Sequence, residues 1–167
     1  MELLIVSDSH GSVGGMQEAL ARVRPEGIFH LGDGVRDLDS LSTEGISVYA
    51  VRGNCDLFEE RPEEIVMALE GHVILAAHGH RYFVKHGIGA LLSHAVAVGA
   101  DVVLFGHTHQ PVDQYLPAGT PTSDGALPHG IYLCNPGSIG RNGDGRGKSF
   151  GRLLLRRNSV LFSLGRV

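Results

Sequence analysis

Five short segments of the chain carry side chains that can bind metal ions, and each follows an apolar run. Such runs are typical of strands that are buried on both faces of a sheet. Loops at the carboxyl ends of parallel strands gather along one edge, so we expect these side chains to lie close together. Carboxylate, imidazole and amide groups there form a mixed oxygen and nitrogen site for divalent cations. The segments are Asp8-Ser9-His10, Gly32-Asp33, Gly53-Asn54-Cys55-Asp56, His78-Gly79-His80 and Gly106-His107-Thr108-His109.

The order of apolar runs and turn residues predicts an α/β fold. A β-α-β-α-β start favours a largely parallel sheet with right-handed crossovers. In that first part we predict strands at 2–6, 27–31 and 46–51, a helix that Ser12 caps and that ends before Pro25, and a short helix at 35–41. After Pro62 we predict strands at 64–69, 72–77, 101–105, 112–116, 131–134, 151–155 and 160–164, and a helix at 87–98. Residues 117–130, with three prolines, are predicted to be a loop.

The bulk properties exclude several classes of protein. A formal net charge of −4 gives no basic surface for sequence-specific nucleic-acid binding. Two cysteines, Cys55 and Cys134, lack the spacing of a zinc site and favour a reducing compartment. No apolar stretch approaches the ~20 residues that a membrane-spanning helix needs, and no basic signal-peptide start is present. We therefore expect a cytoplasmic protein without membrane contact.

The ordered motifs resemble those of a known family. The set D-x-H, G-D, G-N-x-D, a histidine followed by G-H, and G-H-x-H resembles the calcineurin-like metallophosphoesterases, in particular their small prokaryotic phosphodiesterases. Those proteins also tend to carry Asn-Pro-Gly-Ser, here Asn135 to Ser138. The resemblance runs from Asp8 to about Arg141. It implies one domain, residues 1–167, folded as a four-layer α-β-β-α sandwich of two mixed sheets with outer helices.

The resemblance also implies two divalent metal ions. Its ligand sets are Asp8, His10 and His109 for the first ion, Asn54, His78 and His107 for the second, and Asp33 as the bridge. Two ions about 3.5–4 Å apart can clamp the attacking and leaving oxygens of a phosphoryl displacement and supply a metal-activated hydroxide. We expect manganese first, with nickel, cobalt, iron or zinc as alternatives.

Cys55 departs from the family pattern and bears on the substrate. Many members carry histidine there, which stabilises the transition state or protonates the leaving group. A phosphomonoester dianion benefits most from that positive group, and cysteine cannot supply it. We therefore predict a phosphodiesterase acting on a small-molecule phosphodiester, with a phosphomonoesterase on a small molecule or phosphoprotein as the alternative. A third reading is a non-catalytic interaction scaffold, as in the retromer subunit that shares this fold.

Supporting roles follow for several neighbours of the ligands. His80 is a candidate for the missing acid, Asn54 belongs to the catalytic set as well as the ligand set, and Asp56 is expected to orient a ligand imidazole. Cys55 is open to three readings, as a third ligand, a redox group or an inert residue. Asn135 to Ser138 form either a plain turn or a substrate-side element. His30 and His72 are expected to be structural. The edge strands near 112 and 160 offer a route to a homo-oligomer.

Overall fold

Twelve strands and two α-helices form the computed structural model, which describes residues 1–167. The helices are α1 (Val13–Val23) and α2 (Gly89–Ala97), and 3-10 helices span Val35–Ser40 and His80–Tyr82. The strands are β1 (Glu2–Val6), β2 (Gly27–His30), β3 (Ser47–Ala50), β4 (Glu64–Leu69), β5 (His72–Ala77), β6 (Val102–Phe105), β7 (Val112–Leu116), β8 (Pro121–Thr122), β9 (Gly125–Ala126), β10 (Ile131–Asn135), β11 (Ser149–Arg156) and β12 (Ser159–Arg166).

The larger strands form two mixed five-stranded sheets. The first has the order β12-β11-β1-β2-β3, and the second has the order β4-β5-β6-β10-β7. Within the first sheet β1, β2 and β3 run parallel, and within the second β5, β6 and β10 run parallel. The remaining strands of each sheet pair antiparallel with their neighbours. The segments with metal-binding side chains all follow strands of the two parallel sets.

Three apolar layers hold the four layers of the fold together. Alternate residues of β1 show how, because side chains of a strand point to opposite faces in turn. Leu3 and Ile5 face the core between the two sheets, where Ile74 and Leu104 of the second sheet meet them. Leu4 and Val6 face the other way, toward the core that includes Met16 of α1. A third core lies between the second sheet and α2. The α/β architecture of two mixed sheets with outer helices is therefore confirmed.

The structure differs from the predicted secondary structure in four details. The segment predicted as a loop, residues 117–130, contains the small hairpin of β8 and β9. The last two strands are longer than predicted, because their ends pair from Ser149 with Arg166 to Arg156 with Ser159. The short helix at 35–41 is a 3-10 helix. Ser12 stands at the N-terminal cap of α1, but its side chain makes no capping hydrogen bond. Neither α-helix has the length and apolar character that a membrane span requires.

Candidate metal centre

Loops from both sheets bring six of the predicted ligands into two groups. In each group the ligand atoms all lie within 4.8 Å of one another. A third set, His10, Asp33 and Cys55, meets the same limit and contains one member of each group. The two groups are therefore adjacent, as a centre for two cations requires. The first group is Asp8, His10 and His109, and the second is Asp33, His78 and His107.

The first group is arranged around one oxygen of Asp8. His109 Nε2 lies 3.1 Å and His10 Nε2 lies 3.9 Å from Asp8 Oδ1. The other oxygen, Oδ2, accepts hydrogen bonds from Ser7 Oγ (2.5 Å) and from the backbone amide of His107 (3.1 Å). His10 Nε2 is buried and has no hydrogen-bond partner. Buried polar atoms are rarely left unpaired, so this nitrogen fits a metal ligand.

The second group is arranged around His78. Its Nδ1 lies 2.6 Å from the carbonyl oxygen of Leu31, and the carbonyl can only accept, so Nδ1 carries the proton. Its Nε2 lies 3.5 Å from Asp33 Oδ2 and 3.1 Å from His107 Nδ1, and it presents a lone pair when the ring is neutral. Burial lowers the pKa of His78, but the contacts with Asp33 and Asp8 outweigh burial and raise the pKa above its usual value, so a cation at Nε2 would displace a proton. A backbone carbonyl that fixes the tautomer of an imidazole is the usual support of a metal-binding histidine. The donor set of both groups thus fits divalent cations.

The electrostatics of the site keep its carboxylates charged. Burial raises the pKa of Asp33, but hydrogen bonds and charge from His78 and the amide of Cys55 outweigh it and lower the pKa below its usual value. The same balance between burial and the neighbouring histidines and Ser7 lowers the pKa of Asp8. Burial and the charge of His78 lower the pKa of His107 to about 4, so its imidazole is neutral near pH 7. Ionised carboxylates and a neutral imidazole are the forms that bind metal.

Backbone strain is concentrated at these ligands. Nine residues other than glycine have positive φ angles, and five of them are predicted ligands. Non-glycine residues adopt this left-handed conformation infrequently, and sites of function account for many of the exceptions. The predicted ligands with positive φ angles are Asp8 (53°), His10 (43°), Asp33 (57°), His107 (65°) and His109 (57°).

Asp56 does not orient a ligand imidazole, and that prediction is wrong. Its Oδ1 accepts hydrogen bonds from the backbone amides of Gly34 (2.7 Å) and Val35 (3.1 Å). Its Oδ2 accepts from the amides of Asp33 (2.7 Å) and Gly53 (2.8 Å). Both oxygens of the carboxylate are therefore occupied by backbone donors, because the loop that carries Asp33 points its amides toward Asp56. Asp56 positions Asp33 through the backbone.

The Asn-Pro-Gly-Ser segment supports the first group and is too buried to meet a substrate. Asn135 is fully buried and donates to the carbonyl of Gly106 and to Thr108 Oγ1, both at 3.1 Å. Ser138, 1% exposed, donates to the carbonyl of Asp8 (2.8 Å). These contacts hold the loops that carry Asp8, His107 and His109.

A buried polar network links the loop of Asp8 to the loop of Asp33, and sequence reasoning missed most of it. His30 is structural, as predicted, and burial lowers its pKa to about 4. Its Nδ1 accepts from the amide of Gly32 (3.2 Å), so its Nε2 donates to Ser9 Oγ (3.0 Å). Ser9 Oγ in turn donates to Asp37 Oδ2 (2.6 Å), which also accepts from the amide of Gly11 (2.8 Å). Ser9 falls within the first motif and Asp37 within the 3-10 helix that follows Asp33, and nothing in their spacing signals this pairing.

Cys55 and Asn54 lie on the exposed side of the centre. Asn54 Nδ2 lies 3.4 Å from Cys55 Sγ, the one side-chain hydrogen bond that Asn54 makes. The amide of Cys55 donates to Asp33 Oδ1 (2.8 Å). Burial and the charge of Asp33 raise the pKa of the Cys55 thiol to about 11. The thiol is neutral near pH 7 and brings no positive charge to the site.

His80 adjoins the second group from the outside. Its ring centroid lies 5.4 Å from that of His78 and 6.1 Å from that of His107. Burial and the charge of His78 lower its pKa, so the neutral imidazole is favoured. Its Nδ1 is buried without a partner.

Comparison with known proteins agrees with this geometry. A family model described as the calcineurin-like phosphoesterase superfamily domain matches residues 1–158. The chain belongs to this superfamily. The curated protein "Probable metallophosphoesterase YsnB" of Bacillus subtilis (strain 168) is 31% identical over 141 residues, which are 83% of this chain and 75% of that protein. The resemblance predicted from the motifs is therefore confirmed.

Solved structures show the same fold. A predicted phosphoesterase from Streptococcus pneumoniae is 28% identical with a TM-score of 0.74, over 98% of this chain and 87% of that one. Vps29 from Entamoeba histolytica, in a complex with zinc, has a TM-score of 0.70 at 21% identity, over 99% of this chain and 98% of that one. The second likeness concerns the fold alone. The superfamily fold thus occurs both in phosphoesterases and in Vps29.

Proposed function

We propose that the chain is a phosphodiesterase that works with two divalent metal ions. The observation that carries the proposal is the adjacency of the two ligand groups, which His10 and Asp33 join in one set of atoms within 4.8 Å. Asp8, His10 and His109 would hold one ion, and Asn54, His78 and His107 the other, with Asp33 between them. When bound, two such ions polarise the phosphoryl oxygens and lower the pKa of a bound water. Manganese is the first candidate, with nickel, cobalt, iron and zinc as alternatives.

The chain's own residues prepare this chemistry. Asp56 holds the backbone of Asp33 at the meeting point of the two groups. The carbonyl of Leu31 keeps the lone pair of His78 Nε2 available. His80 would act on the leaving oxygen as a hydrogen-bond donor, because a neutral imidazole still carries one N–H. Donors aimed at developing charge lower the barrier of such reactions.

The preference for a diester rests on Cys55. A monoester dianion brings one more negative charge than a diester, and its hydrolysis gains most from a cationic side chain near the phosphoryl group. The neutral thiol of Cys55 offers no positive charge, although its sulfur lies within 4.8 Å of ligand atoms of His10 and Asp33. A diester carries a single charge, for which two cations suffice. The monoesterase alternative lacks this support.

A scaffold role is the second candidate, because the fold of Vps29 is similar. Interaction surfaces do not require strained ligands. Five of the ligand residues hold positive φ angles, which cost of order 1–3 kcal/mol each where they are sparsely populated. A protein that only binds partners gains nothing from that cost, so the enzyme is favoured.

Hydrolysis of two chromogenic esters tests the proposal. Metal-stripped protein, resupplied separately with Mn, Ni, Co, Zn or Mg, is assayed with bis-p-nitrophenyl phosphate and with p-nitrophenyl phosphate. We expect metal-restored cleavage that favours the diester. A preference for the monoester would overturn the inference from Cys55 and keep the metal centre. Tight metal binding without hydrolysis of either ester would favour the scaffold.

A further inference from the structure

A cavity of about 370 Å³ adjoins the second ligand group and is used by none of the roles above. It lies between the beginning of β4, the turn after β5 and the helix α2. Its volume falls within the ~300–1,000 Å³ that small-molecule sites occupy. The polar residues that line it are Glu63, Glu64, His80, Arg81, Tyr82 and His94.

His80 connects this cavity to the metal centre. Only Gly79 separates it in sequence from the ligand His78, and Gly79 also lines the cavity. The φ angle of Gly79 is 104°, a conformation that lets the chain turn sharply between the two histidines. The unpartnered Nδ1 of His80 is a buried polar atom without an acceptor or donor from the protein.

Glu64 has hydrogen-bonding capacity left in this wall. Its carboxylate accepts from Tyr82 Oη, and His94 Nε2 lies between the two oxygens, 3.1 Å from Oε2 and 3.2 Å from Oε1. The rings of Tyr82 and His94 stack with centroids 5.3 Å apart, which fixes both partners. An ionised carboxylate has about four acceptor positions, so roughly two remain for a ligand. The Glu64 side chain is 38% exposed, so a ligand can reach it.

The charges of the wall argue against an anionic ligand. Arg81 forms an ion pair with Glu63, which also binds Arg52 at 2.8 Å. The guanidinium in the wall is thus already paired and does not stand free for a second phosphate. Ala77 is the one aliphatic side chain of the wall, so an alkyl tail would gain little burial there. Hydroxyl groups, in contrast, can donate to the open positions of Glu64.

We propose that this cavity holds the leaving alcohol of the phosphodiester and that Glu64 selects an uncharged alcohol with several hydroxyl groups. The proposal rests on the proposed function. In the reaction the oxygen of water bonds to phosphorus and gives up one proton, the bond from phosphorus to the alcohol oxygen breaks, and the alcohol oxygen gains one proton, so that the products are the phosphomonoester and the free alcohol. His80, which lines the cavity beside the second ligand group, would donate a hydrogen bond to that oxygen. Glu64 acts on specificity by accepting hydrogen bonds from the other hydroxyls.

A matched pair of diesters tests this selection. Glyceryl methyl phosphate and propyl methyl phosphate differ in their hydroxyl groups, and ³¹P NMR shows which alcohol is released. In metal-loaded wild-type protein we expect glyceryl methyl phosphate to release glycerol. Its kcat/KM should be at least about tenfold above the kcat/KM with which propyl methyl phosphate releases propanol. Glu64→Gln should lower the ratio of the two kcat/KM values by about tenfold to a hundredfold, as the loss of a hydrogen bond to a charged group implies.

Glu60→Gln is the control, because Glu60 is exposed nearby and does not line the cavity. It should leave the ratio unchanged. A wild-type ratio near one, or a ratio that Glu64→Gln does not change, would overturn the subsite and leave the proposed function intact. If neither diester is cleaved in any metal-loaded form, the proposed function loses its support and a binding measurement decides the subsite.

That measurement uses metal-free, ¹⁵N-labelled protein titrated with glycerol or with 1-propanol. We expect glycerol to shift the amide resonances of Glu64, Arg81 and Tyr82, and 1-propanol to shift them much less. Glu64→Gln should weaken the response to glycerol, whereas Glu60→Gln should not. Equal responses to the two alcohols, or no response at these amides, would overturn the subsite whatever the enzyme does.

Discussion

Asp33 Oδ2 lies 3.5 Å from His78 Nε2, and this contact joins a loop of the first sheet to a loop of the second. Asp33 follows β2 and His78 follows β5, so neither sheet alone contains the centre. The apolar core between the sheets sets the distance between the two loops. Stability and metal binding are therefore coupled.

Asp33→Asn should remove metal-dependent turnover and reduce the bound metal. The substitution keeps the size of the side chain and removes the charge that would bridge two cations. Metal analysis after resupply, a bis-p-nitrophenyl phosphate assay and far-UV circular dichroism give the three readouts. Asp113→Asn, on the exposed part of β7, is the control and should behave as wild type. Full activity in Asp33→Asn would contradict the assigned bridge.

Asp56→Asn should weaken metal binding without touching a ligand. One of its oxygens becomes the NH2 of a carboxamide, which cannot accept from backbone amides, and each amide left unpaired costs about 1–3 kcal/mol. Loss of such supporting contacts lowers metal affinity or activity by about 10–100-fold. Urea unfolding and metal titration measure the two effects. Asp39→Asn is the control, since Asp39 is 72% exposed and pairs only with Arg61. Equal behaviour of the two variants would refute the role given to Asp56.

Gly53→Ala should disturb the centre, because a Cβ at that position would lie 2.6 Å from Asp33 N and 2.9 Å from Asp33 Cγ. Asp33 would have to move, and metal affinity should fall. Gly14→Ala is the matched control within α1, where a Cβ meets nothing within 4 Å. Alanine stabilises a helix interior by about 0.5–1 kcal/mol relative to glycine. Metal affinity, measured by calorimetry, should therefore fall in Gly53→Ala and stay unchanged in Gly14→Ala. Unchanged affinity in Gly53→Ala would show that the Asp33 loop tolerates displacement.

His72 should make stability depend on pH. Its Nδ1 lies 2.7 Å from Asp101 Oδ2 and its Nε2 lies 2.9 Å from the carbonyl of Arg156, which connects β5 to the end of β11. Burial lowers the pKa of His72, but the hydrogen bonds to Asp101 and Arg156 outweigh it and raise the pKa above its usual value. A raised pKa in the folded state adds stability below the unfolded-state pKa, and that stability is lost as the pH rises through the folded-state pKa.

The comparison is made between wild type and His72→Gln, both metal-free. The difference in their free energies of unfolding should be larger at about pH 5.5 than at about pH 9. Asp101→Asn keeps the acceptor for the amide of Val73 through its oxygen and removes the charge, so it should diminish the pH-dependent part in the same way. A difference that grows as the pH rises would mean that His72 is held neutral.

That the side chains of the predicted ligands lie close together could be predicted from the sequence, because each follows a strand of a parallel set and loops at the carboxyl ends of such strands gather at one edge. Asp8 after β1 and His107 after β6 illustrate this, since each follows a short apolar run. The role of Asp56 could not be predicted in the same way. Its partners are backbone amides, and their direction depends on the φ and ψ angles of the loops at Asp33 and Gly53. The network of Ser9 and Asp37 escaped prediction for the same reason.

The fold too could be predicted only in part. Continuous apolar runs such as β1 and β6 predicted buried strands and two packed sheets. The hairpin of β8 and β9 was missed because its strands have two residues each and contain Pro121 and Gly125, which usually indicate turns. Strand lengths at β11 and β12 were underestimated because pairing between neighbours, rather than hydrophobicity, extends them to Ser149 and Arg166.

Titration of Mn²⁺ into metal-stripped protein tests the central claim most directly. Bound manganese and hydrolysis of bis-p-nitrophenyl phosphate are followed in the same samples. Two adjacent ligand groups predict that two ions bind per chain and that hydrolysis rises with occupancy of the second site. Full activity at one ion per chain, or saturation at a single ion, would contradict a centre that needs both groups.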